Sequence, residues 1–350
     1  MTKAQKSNLE LFLEHRRYVN ELYAQQSNLN CISFDTDKDK IFLNEISNKK
    51  FRNILEKEPA SARECDYEQL VEMYYEALAV VYLNSKNVKV KKIREANVPT
   101  PDFECLFSNE NGYEKKFYIE VKTLGFVGGE SQYKKRDEET LNTSIGLEEQ
   151  RKQYPNQKIY MAMRESHGWG EKLNNPTEER SIIIETLIQK IDKLIKSGQF
   201  SKKPTFLLVF ANRLCNGLLR KSDLVSYYFD TDIRSVGSGL LWTVCFAEEQ
   251  HLILKVPYME GNSNQERRLK KNGVLVNNTD VSGIIFVDSF CNKNMRVFGL
   301  YDESRQSYDD RWNEIDTNEL FYKITDAFSG KRNEDIYYEL YKNLKNELRE

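Results

Sequence analysis

Thr100-Pro101-Asp102-Phe103-Glu104 and Phe117-Tyr118-Ile119-Glu120-Val121-Lys122-Thr123 flank Asn109-Glu110-Asn111-Gly112, and the fold turns on how these stretches are read. The Asn and Gly supply turn chemistry, so 100–107 and 115–124 are predicted as the two arms of a hairpin. Side chains alternate along a strand, which sends Glu120 and Lys122 to one face and Ile119 and Val121 to the other. With a short loop, Asp102 falls opposite Glu120 to within a residue. Two carboxylates and an ammonium then meet on one sheet surface, among Phe, Ile and Val. Three charges gathered there are costly unless they act together.

Working outward, Asp66 to Asn84 carries Leu70, Met73, Tyr74, Ala77, Leu78 and Val81 at helical spacing. Val88 to Ile93 alternates as a strand does. On the far side, 125–142 is rich in Gly, Gln and charge and reads as a loop, and Glu148–Gln153 as a short helix. A strand is expected over Lys158–Met163 and a loop over Ser166–Gly170. Pro176 opens a long helix to about Lys196, which Gly198 closes. Thr205–Ala211 is continuously apolar, the mark of a strand buried on both faces. Further strands are expected at 240–247, 252–256 and 283–288, and two amphipathic helices over Glu319–Leu348. Helices are also expected at 8–25 and 41–57. The fold class is therefore α/β, a mixed sheet flanked by helices. The expected division is a helical N-terminal segment (1–60), a core (61–300) and a helical C-terminal segment (301–350).

Composition narrows the function. With 39% hydrophobic and 30% charged residues in 350, the chain can build a sizeable core, and seven Pro and 16 Gly are too few for a disordered chain. The formal charge of −2 means that any polyanion is met by a local basic surface rather than by the whole protein. The six cysteines form no Cys-x-x-Cys pair and the three histidines are scattered, which argues against a zinc or iron–sulfur site. The first residues lack the apolar run of a signal peptide, and no stretch has the length to span a bilayer, so a cytoplasmic location is expected.

The hairpin constellation has a definite chemistry. Oxygen ligands suit a hard divalent cation such as Mg²⁺, with Mn²⁺ as a substitute, and such an ion keeps waters that a phosphate can replace. An ion held by Asp102 and Glu120 would activate the phosphorus and acidify a bound water. Lys122 would orient or deprotonate that water, or neutralise charge developing on the phosphorane. The residues alone leave those roles open.

Taken together, the Pro101-Asp102 … Glu120-Val121-Lys122 pattern resembles the PD-(D/E)xK nuclease superfamily, the fold of many restriction and repair endonucleases. The resemblance runs from about Glu68 to Ala211: a helix, three strands, a helix and a buried strand. It implies a restriction-endonuclease-like sheet, metal binding by Asp102, Glu120 and the Val121 carbonyl, and Lys122 as the catalytic lysine. Many members add a carboxylate from the first helix, which nominates Glu76, with Glu72 one turn earlier as the other candidate. Gln150-Arg151-Lys152-Gln153-Tyr154 has the spacing of a family Gln-x-x-x-Tyr motif. Arg151 stands where that motif expects an apolar residue, so the match is read as chance.

Basic clusters at Lys134-Lys135-Arg136 and Arg267-Arg268 are the expected nucleic-acid contacts, whereas Lys331-Arg332 reads as solvated surface. Tyr74, Tyr75 and Tyr82 read as packing residues. The expected activity is Mg²⁺-dependent phosphodiester hydrolysis in restriction, phage defence or repair, with DNA the substrate that the resemblance implies and RNA the alternative. A homodimer or a partner protein is expected, because no nucleotide-binding motif accompanies the site. The rivals are a nucleic-acid-binding or assembly module without turnover, and a soluble α/β protein whose matching residues lie apart.

Overall fold

Six consecutive apolar or β-branched residues, Thr205–Phe210, form a strand buried at every position, and the rest of the molecule is layered around it. In the computed structural model the residues described are 64–93, 99–108, 112, 114–124, 145–155, 157, 180–196, 198–202, 204–211, 219–230, 235–253, 255–257, 267–290, 294–306 and 317–331. In chain order the elements begin with α1 (Glu64–Ser85), β1 (Val88–Lys92), β2 (Phe103–Ser108), β3 (Glu114–Thr123), α2 (145–153), α3 (Arg180–Leu194) and β4 (Thr205–Phe210). There follow β5 (Tyr227–Asp230), β6 (Ser235–Ser238), α4 (Leu240–Phe246), β7 (Leu252–Ile253), β8 (Lys255–Pro257), β9 (Arg267–Arg268) and α5 (Val274–Asn277). Then come β10 (Gly283–Phe290), β11 (Asn294–Tyr301), α6 (Glu303–Gln306), α7 (Thr317–Ile324) and β12 (Ala327–Gly330).

A seven-stranded mixed sheet in the order β1-β2-β3-β4-β10-β11-β12 forms the centre. The β1-β2-β3 meander is antiparallel, β3 and β10 flank β4 in parallel, β11 returns antiparallel and β12 runs parallel to it. The parallel β3–β4 pair needs a crossover, and α3 lies in it. Phe206, Leu208 and Phe210 face one layer, where Phe210 stacks on Tyr75 of α1 at 4.6 Å and Phe206 meets Phe321 of α7 edge-on at 5.3 Å. Leu207 and Val209 face the other layer and share a core with Ile184 and Ile188 of α3 and Leu241 and Val244 of α4. The structure is thus α/β, with helices on both faces of a mixed sheet. No helix among the described residues is long and apolar enough to cross a membrane.

Several expectations are corrected. Residues 240–246, expected as a strand, form a helix. A short apolar run does not separate a strand from a buried helix, and a helix satisfies its own backbone, as the Thr243 N–H to Gly239 carbonyl bond shows. The expected strand at 252–256 divides into β7 and β8, which pair with different partners, β9 and β6. The first expected C-terminal helix ends at Ile324, and the chain then adds β12 to the central sheet beyond residue 300. The buried stripe of α1 runs through Tyr75, Ala79, Val80 and Leu83, while Leu78 and Val81 are half-buried. Stacking of Tyr75 on Phe210 sets that rotation. Tyr82 packs as expected, its hydroxyl donating to the Ile324 carbonyl at 2.6 Å. The helix at 145–153 contains the expected Glu148–Gln153, and the strand Gly283–Phe290 contains the expected 283–288. The N-terminal segment 1–60, the loop 125–142, the segments 158–163 and 166–170, the start of the long helix at Pro176, and 332–350 lie outside the described residues.

Candidate active site

The β2–β3 register pairs Phe103 with Ile119, so continuing it by one residue sets Asp102 opposite Glu120. Strand alternation places Glu120 and Lys122 on the face shared with Leu207 and Val209, their partners in β4. Phe117, Ile119 and Val121 take the other face, under α1. The N–H groups of Tyr118 and Leu124 donate toward β4, to the carbonyls of Pro204 and Phe210. The odd-numbered residues of β3 therefore direct their backbone groups toward β2. At Val121 strand β2 has already ended, and the Asp102 carboxylate takes the place of a strand partner, with Oδ2 accepting the Val121 N–H at 2.8 Å. The Val121 carbonyl lies along this same edge.

Glu120 is only 1% exposed. Its Oε1 accepts two bonds, from Lys122 Nζ at 2.5 Å and from Gln199 Nε2 at 2.6 Å. Its Oε2 is buried and has no hydrogen-bond partner among the described residues. Lys122 is 15% exposed, so its amine bridges the buried carboxylate and the surface. Leaving a carboxylate oxygen buried and unsatisfied costs about 1–3 kcal/mol, which marks the position as built for something other than stability.

The electrostatics match this geometry. Burial first, then repulsion from Glu120 and Glu76, pushes the Asp102 carboxyl up to about 7, against the Val121 N–H and Lys122, which pull it down. Burial also raises Glu120, opposed by Lys122 and by contacts with Asp102. The two carboxyls titrate as one unit, in which ionised Glu120 disfavours ionisation of Asp102 while contacts with Asp102 favour the ionised form of Glu120. Such a pair releases its protons when a cation supplies the missing charge.

Glu76 lies beside the buried stripe of α1, and its carboxylate is bonded to Lys92 of β1 at 2.8 Å. It acts on Asp102 through repulsion and is not gathered into a ligand set with the other two. Among the described residues no group of three or more His, Cys, Asp or Glu side chains is placed to hold a metal ion. Glu72 is exposed. Gln150 and Tyr154 lie on and just after α2, both exposed. Arg268 stands on β9, in a ribbon separate from the central sheet, and donates to the Gln250 carbonyl at 3.1 Å. Arg267 shares that strand. The structure therefore brings Asp102, Glu120, Val121 and Lys122 together and leaves Arg267 and Arg268 on a different sheet. Lys134, Lys135 and Arg136 lie outside the described residues.

The sequence reading missed Gln199. It follows Gly198, whose φ of +93° is the left-handed turn that ends the α3 segment. That turn rests near Pro99, so the segments leading to Asp102 and to Gln199 converge on β3. A glutamine in a turn carries no motif and no spacing signal. Comparison with protein-family models, with curated proteins and with solved structures returns no match to this chain.

Proposed function

We propose that this chain is a divalent-metal-dependent nuclease of the PD-(D/E)xK type that hydrolyses phosphodiester bonds. The observation that carries the reading is the buried Oε2 of Glu120, without a hydrogen-bond partner among the described residues, beside an Asp102 carboxyl whose ionised form it disfavours. The order helix, antiparallel three-strand meander, crossover helix and parallel buried strand supports a restriction-endonuclease-like core. The donor set fits a hard cation: Asp102, Glu120 and the Val121 carbonyl are all oxygen ligands, and Mg²⁺ takes few protein ligands beside its waters. When bound, Mg²⁺ or Mn²⁺ would supply Lewis-acid activation of a phosphate and acidify a water.

The chain's own groups do the rest. Asp102 and Glu120 must both be ionised to hold the ion, so activity requires the proton shared by the pair to leave. Lys122 already sits on Glu120 with its amine near the surface, where it can orient the attacking water or neutralise charge on the phosphorus-bound oxygens. Glu76, tied to Lys92, tunes the charge of the site from α1. DNA as substrate, with a role in restriction, phage defence or repair, rests on the sequence resemblance. So do contacts from Lys134, Lys135, Arg136, Arg267 and Arg268, and action as a homodimer or with a partner protein.

The test is cleavage of plasmid, linear and single-stranded DNA and of RNA with Mg²⁺ or Mn²⁺. Asp102→Ala, Glu120→Ala and Lys122→Ala are each expected to lower the rate at least about a hundredfold with the circular dichroism spectrum retained. Cleavage of RNA alone would move the substrate class. Binding without any cleavage, unchanged in Lys122→Ala, would replace the enzyme by an assembly module.

A further inference from the structure

We infer that Gln199 is a positioning residue for Glu120: its side-chain amide fixes one carboxylate oxygen so that the other stays open to a divalent cation. This rests on the nuclease reading and adds to it a residue that no motif supplies. Gln199 Oε1 accepts the Lys196 backbone N–H at 3.0 Å. A backbone N–H only donates, so the carbonyl end of the amide must face Lys196 and the NH₂ end must face Glu120. The amide is therefore oriented by its partners, and Nε2 reaches Glu120 Oε1 at 2.6 Å in a buried setting.

The second donor on that same oxygen is Lys122 Nζ. Two donors on Oε1, and none on Oε2 among the described residues, fix the carboxylate in one rotation, and Gln199 is the donor that carries no charge. Lys122 is thus not the sole restraint on Glu120 and can exchange its contact for substrate or water without freeing the ligand. The turn that presents Gln199 is itself constrained, since Gly198 adopts φ +93° against Pro99, on the segment that leads to Asp102. The plainer role for Gln199 is to satisfy the Lys196 N–H that the end of α3 leaves open. That role needs only Oε1 and says nothing of a 2.6 Å bond to a buried carboxylate.

Mn²⁺ binding to the full chain, followed by calorimetry and by the rise in melting temperature at saturating Mn²⁺, tests the inference. Gln199→Met keeps the length and removes the donor, and Glu120→Gln serves as the site control. The wild-type chain is expected to bind Mn²⁺ and Glu120→Gln to lose it. Gln199→Met should bind about tenfold more weakly, as expected for losing a hydrogen bond to a charged group, and should gain less from Mn²⁺ relative to its own metal-free melting temperature. Equal destabilisation with and without Mn²⁺ and an unchanged dissociation constant would reduce Gln199 to its structural role and overturn the inference alone. Mn²⁺ affinity that Glu120→Gln leaves intact would instead remove the metal site, and with it the role assigned to Gln199. Gln199→Ala, read in the same way, decides the matter if the Met variant does not fold.

Discussion

Asp102 is held in a state that works against the folded chain. Its carboxyl is pushed up to about 7 by burial and by its acidic neighbours, against about 4 in an unfolded chain. Between those values the folded state binds the extra proton, so this contribution to stability is full below about pH 4 and lost as pH rises through 7. Asp102→Asn keeps an acceptor for the Val121 N–H and removes the charge. Urea unfolding of the metal-free chain should find it more stable than wild type at pH 8 by about 2 kcal/mol, with the gap closing by pH 4. A gap of the same size at both pH values would show that it does not come from the cost of ionising the buried Asp102 carboxyl. The Asp102–Glu120 opposition was legible in the sequence, because register follows from a turn and from strand alternation. Gln199 was not, because its contact with Glu120 spans 79 residues and depends on where a turn falls.

At the scale of elements, the hairpin and the crossover were readable because their patterns are local. Buried helices and edge strands were less so. Leu240–Phe246 is apolar except for Thr243, and its place beneath α3 makes it a helix. β11 was not foreseen, and its seat against α7 depends on Gly299. A Cβ there would lie about 2.0 Å from Phe321 Cδ1, inside the ring that also packs on Phe206. Gly299→Ala is therefore expected to displace α7 and cost about 3 kcal/mol, measured as a lowered urea midpoint with an unchanged slope. An unaffected midpoint would mean that α7 shifts freely on the sheet.

Across the whole molecule, one side chain links α5, α6 and the approach to β10. Arg305 of α6 donates to the carbonyls of Asn278 and Val281 at 3.2 and 2.9 Å and to that of Leu275, and its Nε lies 3.5 Å from Asp302. It thereby closes the end of α5 and the turn into β10. Arg305→Lys keeps a charge but not the planar fork, and is expected to destabilise the chain by about 2 kcal/mol in chemical denaturation, with Arg305→Ala costing more. A Lys variant as stable as wild type would show that the charge suffices and the fork does not matter.

By itself the sequence determined the α/β class, the buried central strand, the hairpin and the pairing of Asp102 with Glu120, since each follows from turn chemistry or from a period of two or 3.6 residues. Tertiary structure alone decided that 240–246 is a helix, that the sheet recruits Ala327–Gly330, that Glu76 binds Lys92, and that Gln199 reaches Glu120. Those outcomes come from contacts between distant segments, where packing and hydrogen-bond satisfaction override any local pattern.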